Sequence, residues 1–412
     1  MLAVFAGLGL VARAQQPGTD LRNQRWFKTK AQEASALSAA RKAQATELAK
    51  KRGLPVYLNK NNNFAVLRRF ENGGHPVYYK LYNQAAAITS GTNRLRRGGG
   101  LGLNLTGNGM TVGIWDGGGF NESHREFQGR AETRGGISDD PIQGLGGDHS
   151  THVTGTVGAA GINPEARGMA PDADLFVYDF LNDDAEIAAE LAKDEPLLVS
   201  NHSYGRILGW DFSGGGWTWR GNTSVSSTED YLFGFYNTDS QLWDEYMYNA
   251  PYYLMVKAAG NDRSDVGNGP QPADGPYDVL DPQAVSKNLL TVGAVETITE
   301  GYEVPEDVVM SEFSSWGPTD DGRIKPDLVA AGGNILSSVD GGPEAYGTLS
   351  GTSMASPTVA GSLILLQQLY SQVNQGDFMR AATLKALAIH TTLEAGEFPG
   401  PDYRHGWGLF SA

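Results

Sequence analysis

Short apolar runs alternate with helix-like segments over most of the chain. Strand-like runs occupy Thr111–Trp115, Leu175–Tyr178, Leu197–Ser200, Tyr253–Ala258 and Leu289–Val295. Helix-like segments between them include His149–Ala160 and Asp184–Lys193. Alternation of this kind favours parallel strands joined by crossover helices. The pattern therefore predicts an α/β domain, a three-layer doubly wound fold with a mostly parallel central sheet and helices on both faces.

A longer apolar run at residues 359–369 predicts a buried helix. It follows the segment 350–361, in which Ser353 lies between small residues. Pro357 fits only near the start of this helix, because the amide hydrogen that proline lacks would be unpaired there anyway. Ser353 is therefore expected at a helix N-terminus, where unpaired amides and the helix dipole favour developing negative charge. It is either a plain N-cap or a nucleophile.

Two other segments carry side chains that a serine nucleophile needs. Asp116 follows the strand at residues 111–115, and ligand sites in open α/β sheets lie at the carboxyl ends of strands; an Asp-Gly turn has the same sequence. His149 and His152 lie three residues apart near the start of a small-residue helix. Zinc is not supported, because cysteine and the H-E-x-x-H pattern are both absent. One of the histidines is therefore expected to be a base.

These three segments resemble the aspartate, histidine and serine signatures of the subtilisin-like serine proteases, the subtilases. The order Asp116, His149, Ser353 is that of subtilisin and differs from the orders in chymotrypsin and the α/β-hydrolases. Around Ser353 the match is nearly unbroken, and the histidine segment differs by Ser150 and Thr154 in place of a glycine and an alanine. The resemblance covers residues 110 to about 412.

The resemblance implies a subtilisin-like fold and a role for each matched residue. Ser353 is the implied nucleophile, His149 its base and Asp116 the carboxylate that orients the base, while His152 is structural. Asn261, at the end of a strand-like run, is implied to form an oxyanion hole with the Ser353 backbone amide. A turn residue after a strand would be its plain alternative.

Substrate-binding residues are implied by the same family match. Residues 197–205 resemble the strand whose edge pairs with the substrate backbone, which is an efficient way to hold an extended peptide. Tyr204 stands where the family usually has leucine. The implied substrate-binding residues are Ser203, Tyr204 and Gly205, with Ala259 and Gly260 on the opposite wall of the specificity pocket together with Ala258.

Residues 206–252 form an interval that is longer than expected for a compact subtilase and rich in aromatic side chains. The tryptophans in it are Trp210, Trp217, Trp219 and Trp243. Such an insertion either extends the substrate-binding rim or packs as a surface loop, and packing is the favoured interpretation.

Charge divides the chain of 412 residues, whose formal net charge is −15. Residues 21–97 contain 16 Lys and Arg against 3 Asp and Glu, whereas residues 98–412 contain 15 against 43. A basic segment suits nucleic acid, but its attachment to a strongly acidic domain favours docking within the chain. No nucleic-acid partner is expected.

The basic segment is predicted to be a small α+β pro-segment at residues 15–97, preceding a catalytic domain at 98–412. Its expected elements are a helix from Thr29 to about Arg52 and short strands near Phe64–Arg69 and Pro76–Tyr82. Because subtilases are commonly made with a propeptide that assists folding and blocks the cleft, the family resemblance implies that role. A maturation cut is then expected between Asn83 and Gly100.

Residues 1–14 combine an apolar run with the small-x-small pattern Ala12-Arg13-Ala14. The pattern predicts a secretory signal peptide that is too short to span a membrane. With no cysteine, a secreted fold relies on its core and on bound ions. The acidic residues are scattered, so structural calcium is a candidate without an assignable ligand set. The chemistry itself requires no cofactor.

The sequence as a whole predicts a secreted, monomeric serine endopeptidase that hydrolyses protein or peptide substrates through an acyl-enzyme. The alternative is a catalytically silent protein-binding module on the same fold, although the triad is complete. A sedolisin-type peptidase would have glutamate at His149. An esterase of the α/β-hydrolase kind would have Gly-x-Ser-x-Gly, whereas the fifth residue here is Ala355.

Overall fold

A computed structural model of the chain describes residues 44, 46–54, 57–60, 63–71, 75–80, 84–117, 119–134, 147–180, 183–193, 197–213 and 216–412. The contacts divide the chain into two compact units, Met1–Lys80 and Leu81–Ala412. In the first unit, residues 46–52 form helix α1. Three strands, β1 (Tyr57–Lys60), β2 (Asn63–Glu71) and β3 (His75–Lys80), form an antiparallel sheet in that order.

The sequence pattern anticipated part of this first unit. Two strands occur near their predicted positions, as β2 and β3, whereas β1 was not predicted. Of the helix expected from Thr29 to about Arg52, the structure describes the C-terminal part, and residues 29–43 lie outside the described residues. The proposed signal peptide at residues 1–14 also lies outside them.

The second unit is built around a central parallel sheet. Its strands in chain order are β4 (Thr111–Asp116), β5 (Ala131–Thr133), β6 (Asp174–Asp179), β7 (Val199–His202), β8 (Trp210–Ser213), β9 (Gly216–Trp219), β10 (Leu254–Ala258), β11 (Leu290–Val295), β12 (Leu328–Ala331), β13 (Ile335–Ser338) and β14 (Tyr346–Leu349). Seven of them form one sheet in the order β12-β11-β10-β7-β4-β6-β5, and every pairing in it is parallel. Strands β8–β9 and β13–β14 form separate antiparallel pairs.

Helices cover both faces of this sheet. They are α2 (Gln84–Thr89), α3 (Gly147–Gly158), α4 (Asp183–Leu191), α5 (Thr238–Asn249), α6 (Thr352–Val373) and α7 (Ala381–His390). Strand side chains alternate between the faces: Leu254 and Val256 join the core that contains α3 and α6, whereas Met255 joins a second core with Ile187 of α4 and Trp243 of α5. The predicted three-layer α/β fold is confirmed.

Strand β7 is displaced from its predicted position at Leu197–Ser200. The ladders with β4 and β10 run from Val199 to His202, so the strand includes the polar residues Asn201 and His202. These side chains are buried and hydrogen-bonded, because Ser356 Oγ donates to Asn201 Oδ1 at 2.7 Å and Ser200 Oγ contacts His202 Nε2 at 2.9 Å. Hydrogen bonds to neighbouring groups thus allow these polar side chains in the strand, although a purely apolar pattern would have excluded them from it.

Helix α6 begins at Thr352, so Pro357 lies in its second turn and not at its start. A proline at this position cannot donate to the carbonyl four residues earlier, which belongs to Ser353. The Ser203 hydroxyl donates a hydrogen bond to that carbonyl oxygen at 3.0 Å. The expectation that the missing amide costs nothing is therefore wrong, and Ser203 supplies the replacement bond.

Residues 84–97 pack within the second unit. Helix α2 buries Ala86 and Ala87 in its main core. The Ser90 carbonyl accepts from the Ala412 amide at 2.8 Å, and the hydroxyls of Thr92 and Ser362 lie 2.6 Å apart. Within the described ranges, no helix has the length and apolar character needed to cross a membrane.

One buried carboxylate joins distant loops of the second unit. Glu126 is fully buried and accepts hydrogen bonds of 2.7–3.0 Å from the amides of Gly161, Ile162 and Asn163. The Tyr346 hydroxyl donates to the same carboxylate at 2.7 Å. Four donors therefore compensate for burial of the charge.

Candidate active site

The four residues implied in catalysis lie on segments that follow sheet strands or begin helices. Asp116 ends β4, and Asn261 lies three residues beyond the end of β10. His149 is in the first turn of α3, and Ser353 is the second residue of α6. Sites in open α/β sheets are commonly assembled in this way, at the carboxyl edge of the strands.

Asp116 and His149 form the first contact of the site. The Asp116 side chain is fully buried, and its Oδ1 lies 2.7 Å from His149 Nδ1. The Gly117 amide donates to the same oxygen at 2.8 Å. The negative charge of Asp116 raises the pKa of His149 above 6.5, against the opposing effect of burial. When Nδ1 carries the proton toward Asp116, Nε2 of the neutral ring is free to act as a base.

His152, three residues along the same helix, has a different environment. It is fully buried, and its Nε2 lies 2.8 Å from the Ile335 carbonyl oxygen. Burial lowers its pKa to about 3, so the ring is neutral at physiological pH. This environment agrees with the structural role that the sequence implied.

Ser353 is linked to Ser203 by two reciprocal hydrogen bonds. The Ser353 hydroxyl donates to the Ser203 carbonyl at 3.1 Å, and the Ser203 hydroxyl donates to the Ser353 carbonyl at 3.0 Å. Its hydroxyl is thus held by Ser203 and not by His149. Serine–histidine hydrogen bonds in ligand-free sites are often long and tighten only with substrate.

Asn261 is oriented by Thr352, the residue before Ser353. Its Oδ1 accepts hydrogen bonds from the Thr352 amide at 2.9 Å and from the Thr352 hydroxyl at 3.1 Å. This leaves the Nδ2 amide hydrogens available as donors, and Asn261 lines the same pocket as Ser353. The first-turn amide of Ser353 also lacks a partner within its helix. Two donors can therefore be offered to one oxyanion.

A pocket of about 240 Å³ adjoins Ser353 and Asn261. The implied substrate-binding residues Ser203, Tyr204, Gly205 and Gly260 line it. Ala259 does not: it is fully buried in a small core formed with Leu280, Ala284 and Val285. Its side chain packs into that core, whereas Ala258 and Gly260 on either side line the pocket, so a substrate-binding role for Ala259 stays a prediction.

Tyr204 is held by a chain of buried polar groups. Its hydroxyl donates to Asp183 Oδ2 at 2.7 Å and lies 3.1 Å from His202 Nδ1. The Tyr204 carbonyl accepts a hydrogen bond from Lys257 Nζ. Burial and the Lys257 charge lower the pKa of His202 to about 3, so His202 is a neutral member of this network. Its partners identify it as structural.

Lys257 and Asp281 were not found by the sequence reasoning. Lys257 Nζ lies 3.1 Å from Asp281 Oδ2, and both side chains are almost completely buried. The one available signal was the charge of Lys257 inside the apolar run 253–258, which a buried strand accepts only with a partner.

The aromatic segment 206–252 both packs and lines the pocket. Trp243 is fully buried in the second core, whereas Ile207, Trp210 and Asp211 line the pocket beside Ser353. Phe212, on the β8–β9 hairpin, is 61% exposed. Packing is therefore observed for Trp243, whereas a substrate-binding rim formed by Ile207, Trp210 and Asp211 stays a prediction.

A protein metal site needs several His, Cys, Asp or Glu side chains close together. Within the part of the chain that the structure describes, no three or more His, Cys, Asp or Glu side chains are grouped so that they could hold a metal ion. Structural calcium, for which the sequence assigned no ligands, therefore stays an untested expectation.

Comparisons with known proteins agree with this geometry. The model of the subtilase family of peptidases matches residues 107–408. The chain is 27% identical over 298 residues to the subtilisin-like protease SBT6.1 of Arabidopsis thaliana, which covers 70% of this chain and 24% of the relative. It is 57% identical over 61 residues to a C5a peptidase of Streptococcus pyogenes, covering 15% of this chain and 5% of that protein. The chain thus spans a quarter or less of the length of these relatives.

A solved structure has the same fold. The CspB protease of Clostridium perfringens superposes with a TM-score of 0.55 at 18% identity, covering 80% of this chain and 97% of that chain. At this identity the likeness concerns the fold, and the family match over residues 107–408 carries the assignment. The chain belongs to the subtilase family of serine proteases.

Proposed function

We propose that this chain is a secreted serine endopeptidase that cleaves peptide bonds through an acyl-enzyme. The observation that carries the proposal is the 2.7 Å contact between His149 Nδ1 and the buried Asp116 carboxylate. A buried carboxylate on Nδ1 fixes the tautomer in which Nε2 can accept a proton. Ser353 lies at a helix N-terminus beside a pocket, where a substrate carbonyl can be attacked.

The proposed reaction assigns one role to each group. Ser353 Oγ attacks the substrate carbonyl carbon while its proton passes to His149 Nε2. Asn261 Nδ2 and the Ser353 amide donate to the oxyanion of the tetrahedral intermediate. His149 then gives its proton to the departing amine, which leaves an ester on Ser353. Water then attacks this ester and gives a proton to His149 Nε2. His149 returns that proton to Ser353 Oγ as the acid product leaves, which restores the free enzyme.

The function is tested by comparing casein with a short activated ester. We expect the secreted, processed protein to release peptides from casein and to be labelled by a fluorophosphonate, which reacts with activated serines. Ester turnover without casein cleavage would contradict an endopeptidase. Failure to turn over either substrate or to take up the label would favour the catalytically silent binding module.

That silent module remains the second candidate on one observation. The Ser353 hydroxyl donates to the Ser203 carbonyl and not to His149. For catalysis the hydroxyl must leave this acceptor and turn to His149 Nε2. The casein and labelling experiments decide between the two functions.

Replacement of Asn261 by alanine should lower kcat by about 10²–10³-fold and change KM little. The amide is proposed to bind the oxyanion, which exists only beyond the ground state, so its loss should appear in the chemical step. Kinetics on one fluorogenic peptide measure this. The control is Thr352→Val, which removes the hydroxyl that binds Asn261 Oδ1 but keeps the backbone amide bond. A loss confined to KM would contradict the assigned role.

The basic segment 15–97 is proposed to act as an intramolecular pro-segment. Its charge is opposite to that of residues 98–412, and the contacts of the chain divide it into two units at Lys80/Leu81. We expect active secreted protein to have been cut between Asn83 and Gly100. Intact-mass measurement checks this, and active enzyme with an uncut 30–110 region would contradict it.

A further inference from the structure

We propose that the pocket beside Ser353 selects substrates with a Lys or Arg side chain on the residue whose carbonyl is attacked, and that Asp262 and Asp265 recognise its charge. This specificity rests on the proposed endopeptidase function. Both carboxylates line the pocket that also contains Ser353 and Asn261. Because Ser353 lines this pocket, a side chain next to the attacked carbonyl can enter it.

Glycines keep the pocket open for a long side chain. A Cβ added at Gly205 would approach Asp281 Oδ2 to 2.4 Å, and one at Gly260 would lie 2.9 Å from Ser315 Oγ and 3.0 Å from Asp262 Oδ2. Gly260 also has a φ of +117°, which L side chains rarely adopt. A larger residue at Gly260 would therefore crowd the Asp262 carboxylate, and one at Gly205 would crowd that of Asp281.

Most other charges around the pocket are neutralised within the protein. Lys257 pairs with Asp281 at 3.1 Å. Asp211 pairs with Arg220 at 2.5 Å. Arg206 is about half exposed and lies 4.0 Å from Asp239. Each of these charges therefore has an oppositely charged partner within the protein.

Asp262 and Asp265 are left without a cation. Among the described residues, no Lys, Arg or His forms an ion pair with either carboxylate at 4.0 Å or less. Asp262 Oδ2 accepts a hydrogen bond from Ser315 Oγ at the long distance of 3.4 Å. Carboxylates in a partly desolvated pocket are costly unless a positive group joins them. A substrate guanidinium or ammonium would supply that group.

The electrostatics of the two carboxylates agree with a role in binding a cation. Burial raises the pKa of Asp262 to about 7, with added repulsion from Asp265 and Asp281. Burial also raises the pKa of Asp265 to about 6, with repulsion from Asp211. A bound cation would lower both values and favour the charged carboxylates.

An acidic substrate residue is disfavoured, although Lys257 lines the same pocket. Lys257 Nζ donates to the Tyr204 carbonyl, to the Ala258 carbonyl at 3.2 Å and to Asp281 Oδ2 at 3.1 Å. An ammonium has three hydrogens, and all three are engaged. A substrate carboxylate would find no free donor at Lys257 and would face two acids.

The experiment compares substrates of equal size and different charge. Four fluorogenic peptides differ only at the residue before the scissile bond, which is arginine, citrulline, lysine or norleucine. We expect kcat/KM for arginine to exceed that for citrulline by at least about tenfold, the range of one charge-assisted hydrogen bond. Asp262→Asn and Asp265→Asn should each lower this ratio toward one by reducing kcat/KM for arginine.

The control is Asp377→Asn, which removes an exposed carboxylate outside this pocket and should leave the ratio unchanged. The arginine-to-citrulline ratio should also fall as pH drops from 8 to 5, because Asp262 and Asp265 become protonated. His149 affects both substrates equally, so its titration cancels. The facing groups that share this field are Asp211, Asp274, Asp281, Arg206, Arg220 and Lys257.

The possible results distinguish failure of the proposed Lys/Arg specificity from failure of the proposed endopeptidase function. Turnover of citrulline and norleucine as fast as arginine and lysine would overturn the specificity and leave the endopeptidase function intact. The same is true of a ratio that neither asparagine variant changes. Failure to cleave any of the four peptides or to take up fluorophosphonate would overturn both.

Discussion

Replacing Ser353 with alanine should lower peptide hydrolysis by about 10⁶-fold, the order known for loss of a triad nucleophile. The alanine variant has no oxygen to attack the carbonyl or to form the acyl-enzyme. The donors of Asn261 and the helix amide remain, so a residual rate above that in water is expected. Burst kinetics on an activated ester should lose their fast phase, and fluorophosphonate labelling should disappear.

A second serine on the same helix provides a matched control. Ser356 Oγ donates to Asn201 Oδ1 at 2.7 Å in the interior. Ser356→Ala should cost about 1 kcal/mol of stability, as for one buried hydrogen bond, and should keep both turnover and labelling. Labelling or turnover that survives in Ser353→Ala would refute the proposed nucleophile.

Replacing Asp116 with asparagine should lower kcat by about 10⁴-fold without unfolding the protein. Asparagine has nearly the same shape, but its amide favours the tautomer of His149 in which Nε2 carries the proton. The imidazolium would also lose the neighbouring charge that stabilises it. The melting temperature should not fall, because Asp116 is a fully buried carboxylate whose Oδ2 has no hydrogen-bond partner among the described residues.

The pH profile gives an independent measurement on the same pair. Activity requires neutral His149, and the Asp116 charge raises the pKa of that ring above 6.5. Activity should therefore be lost as pH falls through a midpoint above 6.5 in kcat/KM. In Asp116→Asn the residual activity should have a lower midpoint, because burial then opposes protonation without the compensating charge.

The control for both measurements is Asp148→Asn. Asp148 is exposed, precedes His149 and accepts a hydrogen bond from the Asp340 amide at 2.9 Å. Its replacement should shift the midpoint much less than Asp116→Asn. An equal shift in the two variants would contradict a specific role for Asp116.

Much of the fold was predictable because its strands are short apolar runs between helix-like segments. The positions of β4 and β6 agree with the pattern to within one residue at each end. Strand β7 differed because its limits are set by pairing with two neighbours, and pairing admits His202 and Asn201 once they have partners. The pattern of hydrophobic residues along the chain does not show those hydrogen-bond partners.

The candidate site was predictable where its residues lie within the family motifs. Asp116 and His149 are in contact as implied, and Asn261 and Ser353 line one pocket. The burial of Ala259 in a small core was not predicted, because neighbours in sequence alternate between pocket and core at the end of a strand. The charge balance of the pocket was not predictable, since it depends on which acids find cations in three dimensions.

Glu126 connects segments that are far apart in a sequence that contains no cysteine. The hydrogen bond from Tyr346 joins residues separated by 220 positions, and the same carboxylate holds the turn at 161–163. These hydrogen bonds form only in the folded chain, so unlike a disulfide they do not restrict the unfolded state, and they open and re-form without redox chemistry. Tyr346 and the turn at 161–163 are therefore held by reversible hydrogen bonds to one buried carboxylate, and oxidation does not affect these bonds.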